Sequence, residues 1–280
     1  MAGGSGTRLW PLTKIVTKQL LHIYDKPLIY YPLSTLMLAG IREIMIICKP
    51  NDLNNFKSLL KDGSDYGIEI SYGIQEEPTG IAAGFNIAKN FIGGDSVSLI
   101  LGDNIFYGQG LGSQLSKYKK IEGCQIFAYK VPNPSDSGVV QISADGKVLS
   151  IEEKPRYPKS KMAVTGLYFY DNKVFEYVKS LKPSARGELE ITDINNIYLD
   201  SGSLKCEILE RGVAWLDTGT FEGLYSAASF IRAIEQRQGL KIACLEEIAW
   251  RKGWLDSHQL LNIVEKSKNQ EFRDYITALL

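Results

Sequence analysis

The chain has 280 residues, 44% of them hydrophobic, with 32 basic side chains balanced by 32 acidic ones. This length and apolar content suit one large domain or a domain with an appendage, and the charge balance provides no field to draw the protein to nucleic acid or a membrane surface. No apolar run approaches the ~18 residues of a membrane span and no leader pattern opens the chain, while Cys48, Cys124, Cys206 and Cys244 lack CxxC spacing, which argues against zinc or a disulfide framework and for a reducing cytoplasm.

The first element is a glycine loop, Gly3-Gly4-Ser5-Gly6-Thr7-Arg8, with a second cation at Lys18. Closely spaced glycines let backbone N–H groups converge, and cations beside them suit a polyphosphate. Thr7-Arg8 after Gly6 departs from the P-loop pattern, and Leu9 stands where a dinucleotide fingerprint needs its third glycine. Pro27 can open a helix running to Leu38, with Gly40 as its cap. Glu43 to Cys48 is a short apolar run expected of a strand buried on both faces. Asn51 can cap a helix ending near Asp62-Gly63. A strand from Ile68 to Ile74, a helix from Ile81 to Asn90 and a strand from Val97 to Leu101 complete a βαβ alternation. The fold class is α/β, Rossmann-like, a mostly parallel mixed sheet flanked by helices.

From Cys124 onward strands dominate: Gln125 to Val131, a hairpin of Gly138–Ile142 and Val148–Ile151 turning at Asp145-Gly146, and Val164 to Tyr170. Helices at 174–181 and 191–199 precede strands at 204–209 and 213–216, and a helix from Phe221 to Gln236 closes a domain spanning 1–238. Residues 239–280 read as a helical C-terminal appendage.

Ligands of an open α/β sheet bind beyond the carboxyl ends of its strands. Asp103 and Asp217 both end short apolar runs, and two such carboxylates beside a phosphate loop suit Mg²⁺, which takes one or two carboxylates together with phosphate oxygens. Glu152-Glu153-Lys154 follows another strand; an extended backbone would turn Glu153 and Lys154 to opposite faces. His22 and His258 have no metal-type partner nearby in sequence and receive no role.

In this order, Gly3 to Leu9, Lys18-Gln19-Leu20-Leu21, Tyr24-Asp25-Lys26-Pro27, Gly102-Asp103-Asn104, Glu152 to Pro155, Ala163 to Tyr168, Arg186 to Asp193 and Trp215 to Gly219 resemble the sugar-nucleotide pyrophosphorylases over nearly the whole chain. The resemblance is strongest to those that transfer a thymidylyl group from dTTP to glucose 1-phosphate, giving dTDP-glucose and pyrophosphate. It implies that the loop (Gly3, Gly4, Ser5, Gly6, Thr7), Arg8 and Lys18 bind the nucleotide phosphates, and that Gln75 and Gly80 read the base. By the same resemblance Asp103 and Asp217 hold Mg²⁺, Lys154 steadies the attacking sugar phosphate, and Gly138, Glu153 and Val164 line the glucose pocket. Arg8, Lys18 and Lys154 are thus the expected catalytic set. Gly108, Glu247, Ile248 and Arg251 resemble a second, regulatory nucleotide site.

The family also implies a cytoplasmic homotetramer serving dTDP-rhamnose and polysaccharide biosynthesis. Departures lie at Ser137, Thr79, Ala83 and His22. The family pattern places an apolar strand before the glycine loop, where only Met1 and Ala2 stand here, so the first strand is expected to be missing and the chain to be a shortened form. A use of UTP or another sugar 1-phosphate, and a catalytically silent sugar-nucleotide-binding paralogue, are the competing readings.

Overall fold

A computed structural model describes residues 1–4 and 6–280. The short strands β1 (His22–Ile23) and β2 (Lys26–Pro27) form a tight antiparallel pair ahead of α1 (Tyr30–Leu38). The helix expected from Pro27 starts three residues later, because Leu28 N–H donates back to the Leu21 carbonyl and closes that turn. The following elements are β3 (Glu43–Cys48), α2 (Leu53–Leu60), β4 (Glu69–Ile74), α3 (Ala83–Ile92), β5 (Val97–Ile100), β6 (Asn104–Gly108) and α4 (Leu111–Ser116). Asn51 does not cap α2: Pro50 opens a 3-10 turn over Pro50–Asp52, which places Asp52 at the cap position.

The second half comprises β7 (Cys124–Lys130), β8 (Gly138–Ile142), β9 (Val148–Glu153), β10 (Met162–Tyr170), α5 (Val174–Ser180), α6 (Ile191–Asp200), β11 (Leu204–Ile208), β12 (Val213–Asp217) and α7 (Phe221–Gln238). It ends in α8 (Leu245–Arg251), α9 (Ser257–Glu265) and α10 (Gln270–Leu279). The nine-residue β10 organises this half. It is apolar and buried along nearly its whole length and pairs antiparallel with β5, β7 and β8. β9 extends the sheet from β8 and β11 joins β7 in parallel, while β3 with β4 and β6 with β12 form two-stranded ladders.

Between β3 and β5 lies a cavity of about 840 Å³, lined by apolar residues such as Ile44, Ile47, Leu99 and Phe85 and by the charged Glu43 and Lys119. Met1 lines it and Ala2 follows. Ala2 N–H donates to the Ile47 carbonyl (2.7 Å), the Met1 amine donates to the Ile100 carbonyl (2.9 Å), and Gly102 N–H donates to the Met1 carbonyl (2.8 Å). Burial pushes the Met1 amine down to about 6. These two residues stand where the family pattern places a first strand.

The C-terminal helices are tied into the main body. Leu245 and Ala249 of α8 are fully buried and share a hydrophobic cluster with Leu33, Leu36 and Met37 of α1. Nearby, the carboxylate of Glu235 on α7 accepts the Ile242 N–H (2.7 Å) and lies within 3.2 Å of Lys26 and 3.6 Å of Lys241.

Candidate active site

Ala2 pairs with Cys48 at the carboxyl end of β3, so the glycine loop emerges where an open sheet binds its ligands. From there the chain winds through three short 3-10 turns, Thr7–Leu9, Leu12–Lys14 and Lys18–Leu20. The first carries Arg8 to the cleft edge and the last returns Lys18 to its floor. Gly3 lies against the carboxamide of Gln75. Gln75, just past β4, donates through Nε2 to the Gly80 carbonyl at 3.1 Å and through its backbone N–H to Cys48. Gly80 has φ 106°, and a Cβ there would sit 2.4 Å from the Leu189 carbonyl oxygen, so no other residue fits this turn.

These segments enclose a cleft of about 310 Å³. Gly3, Gly4, Gly6, Thr7, Arg8 and Lys18 line it on one side, Gln75 and Gly80 on another, with Asp103 and Lys154 completing the wall. The expected nucleotide-binding residues therefore converge, apart from Ser5, which lies outside the described residues. Arg186 and Glu188 also line the cleft, although no role was read for either from the sequence. Their motif was visible, but the loop that brings them beside Lys154 was not.

Asp103 stands between β5 and β6. Its backbone carbonyl accepts both the N–H (3.2 Å) and the Oγ1–H (2.7 Å) of Thr218, which holds the end of β12 against it. Asp103 Oδ2 is paired with the Lys18 ammonium. Burial pushes the Asp103 carboxyl up, but the Lys18 charge and hydrogen bonds from Lys18 and Asn104 outweigh it and hold the group below the usual carboxylate range. Asp217, one ladder position from Asp103, accepts the Gly219 N–H at 3.0 Å. The surrounding protein and then the Asp103 charge push its carboxyl above the usual range. Arg8 lies against Gly219, near the same carboxylate.

Two acids that repel one another, one of them already paired with an ammonium, form a donor set that fits a divalent cation. Among the described residues no group of three or more potential ligands assembles, and Mg²⁺ needs only one or two carboxylates when phosphate oxygens complete its shell.

Gly138, Glu153 and Val164 gather just beyond Lys154. Gly138 is paired with Glu153 across the β8–β9 ladder, and a Cβ on Gly138 would be in van der Waals contact with Val164. Glu153 accepts from Thr192 Oγ1 at 2.5 Å and from Arg186 at 3.3 Å, so Thr192 joins this group unanticipated. The expectation that Glu153 and Lys154 point to opposite faces assumed extended backbone, and it fails. Lys154 has φ 43°, which leaves its Nζ 3.8 Å from Glu153.

The four residues expected to form a regulatory site lie on two elements. Glu247 and Arg251 pair along α8 at 2.7 Å, Glu247 also accepts from Tyr275 (2.5 Å), and Ile248 packs on the main core. Gly108 ends β6 against Val213. His22 and His258 are exposed.

A nucleotidyl transferase family profile matches residues 1–234. The chain is 56% identical to a glucose-1-phosphate thymidylyltransferase of Neisseria meningitidis and 55% identical to one of Mycobacterium tuberculosis, covering all of this chain and 98% and 97% of those proteins. A crystal structure from Bacillus anthracis, in complex with a sucrose, superimposes with a TM-score of 0.76 at 41% identity, over 82% of this chain and 93% of that one. The chain belongs to the nucleotidyl transferase family.

Proposed function

We infer that the protein transfers a thymidylyl group from dTTP to glucose 1-phosphate, giving dTDP-glucose and pyrophosphate. The observation that carries this reading is the convergence of the glycine loop, Arg8, Lys18 and Asp103 with Lys154 on one cleft, in a chain more than half identical to thymidylyltransferases over its full length.

A sugar-phosphate oxygen attacks the α-phosphorus of dTTP. The new P–O bond forms as the bond to the bridging oxygen breaks, and pyrophosphate leaves with that electron pair. Both reactants are anions, so the work is positioning and charge stabilisation without a covalent enzyme intermediate. Arg8 and Lys18 hold the triphosphate, Lys154 draws in the sugar phosphate, Gln75 and the Gly80 turn read the base, and Gly138, Glu153 and Val164 bound the glucose. Asp103 and Asp217 would hold Mg²⁺, which supplies charge neutralisation on the phosphates. Lys18 is paired with Asp103 here, so it exchanges that carboxylate for a phosphate when nucleotide arrives.

We further propose a cytoplasmic homotetramer feeding dTDP-rhamnose and polysaccharide biosynthesis, with Gly108, Glu247, Ile248 and Arg251 contributing to a second nucleotide-sugar site. Pyrophosphate release with dTTP or UTP and glucose 1-phosphate tests the reaction. Preference for dTTP is expected; no release with either nucleotide would overturn the reading.

A further inference from the structure

We propose that Asn104 is a positioning residue of this reaction: its carboxamide holds one oxygen of Asp103 so that the other stays turned into the cleft for the cation. The inference rests on the functional reading above and adds a residue that reading leaves without a role. Asn104 is the first residue of β6, is 4% exposed and stands opposite Asp217 in the β6–β12 ladder. Its Oδ1 accepts from Gly166 N–H at 3.0 Å and from the indole Nε1–H of Trp215 at 2.6 Å. Both partners can only donate, which fixes the orientation of the amide. Nδ2 must then face Asp103, and it donates to Asp103 Oδ1 at 3.1 Å. The remaining oxygen, Oδ2, is the one on which Lys18 rests.

The supports of Asn104 are themselves built for this task. Along β10 the register with β7 breaks between Val164 and Tyr168, and within that break the Gly166 N–H leaves the ladder and turns to Asn104. A Cβ on Gly166 would stand 2.7 Å from Asn104 Oδ1 and from the Leu101 side chain, so glycine alone lets the amide approach. Trp215 lies two residues before Asp217 on β12, on the same face of the strand. One side chain thus joins the strand bearing the second carboxylate and the strand bearing Val164 to the first carboxylate. A ligating carboxylate held by such an outer partner typically loses ~10–100-fold in metal affinity when the partner is removed.

The test is Mn²⁺ uptake by the dTTP-saturated enzyme, followed by electron paramagnetic resonance, alongside melting temperature and the KM for glucose 1-phosphate. Asn104→Leu keeps the branching and removes the amide; it is expected to weaken Mn²⁺ binding ~10-fold or more while the sugar-phosphate KM at saturating metal stays within about twofold. Trp215→Phe keeps the ring against Tyr129 and removes one of two supports. It is expected to weaken Mn²⁺ binding by about threefold, within the range for outer-shell changes, and it carries the test should Asn104→Leu fail to fold. Wild-type Mn²⁺ affinity in whichever of these variants folds, or no uptake by the wild-type enzyme, overturns the assignment. Wild-type turnover of dTTP and glucose 1-phosphate with unaltered Mn²⁺ binding in the variants would sink this inference alone; absence of turnover in the wild type would sink the functional reading itself.

Discussion

Lys154 sits in the left-handed region at φ 43° although it carries a side chain, and that side chain is 45% exposed with, among the described residues, a long contact to Glu153 as its one ion pair. Its position can therefore be perturbed with little loss of packing. For a residue with a Cβ, the left-handed conformation costs ~1–2 kcal/mol, whereas glycine adopts it freely but loses ~0.4–1 kcal/mol more chain entropy on folding. The balance predicts that Lys154→Gly is about 0.5–1 kcal/mol more stable than Lys154→Ala, which in a chain of this size is ~2 °C in Tm. Both variants lose the ammonium, so both should lose ~100-fold in kcat/KM for glucose 1-phosphate while binding dTTP nearly as wild type. Differential scanning calorimetry on the two variants, paired with calorimetric binding of each substrate, provides the comparison. If the glycine variant melts with or below the alanine variant, Lys154 carries no backbone strain and the link between that strain and the placement of its ammonium is wrong.

Three further outcomes are expected. Asp217 has a carboxyl raised above the ordinary range, so the folded state holds its proton more tightly than the unfolded chain and loses stability as pH rises through that raised value; Asp217→Asn should melt higher than wild type at pH 7 in metal-free buffer, equal it well below the ordinary carboxyl range, and still lose ~100-fold or more in turnover. A lower melting temperature at pH 7 would contradict this. Gly80→Ala drives a Cβ into the Leu189 backbone and should cost ~3 kcal/mol or more in urea unfolding, with weaker dTTP binding; unchanged unfolding would show that the turn relaxes freely. Glu235→Ala leaves the Ile242 N–H and two lysines without their buried acceptor. Because Asp25 still serves both lysines, the loss should be ~2–3 kcal/mol, short of that for a fully orphaned charge, with residues 239–280 becoming open to limited proteolysis and Glu235→Gln restoring most of the protection. Equal cleavage rates in all three proteins would remove Glu235 as the anchor.

What the sequence disclosed and what it hid follow the range of the interactions involved. β3 and β8 lie where continuous apolar runs and a hairpin turn marked them, because burial on both faces and turn chemistry are written within a few residues. β6 went unread: Asn104 to Gly108 follows directly on the Gly-Asp-Asn end of the preceding strand, and its partner β12 lies more than a hundred residues away. The glycine loop, Asp103, Asp217 and Lys154 were legible as candidates because each stands in a local motif at an element end. Arg186, Thr192 and Asn104 were not, since the groups that fix each in place lie on other elements. The backbone angle of Lys154 left no local mark, because nothing in Glu-Glu-Lys-Pro demands a positive φ.

The stitching of Thr218 to Asp103, 115 positions apart, bears on how the protein is made. During synthesis the glycine loop, Lys18 and Asp103 leave the ribosome early, but the strands that hold Asp103 in place, β10 beside β5 and β12 beside β6, come later. The second carboxylate arrives only when β12 emerges and finds β6, a late, long-range pairing of the kind that sets the pace of folding. Until then only one of the two carboxylates proposed to hold the cation is present. The proposed cation site is thus completed late, after the β10 sheet that supports it has been translated.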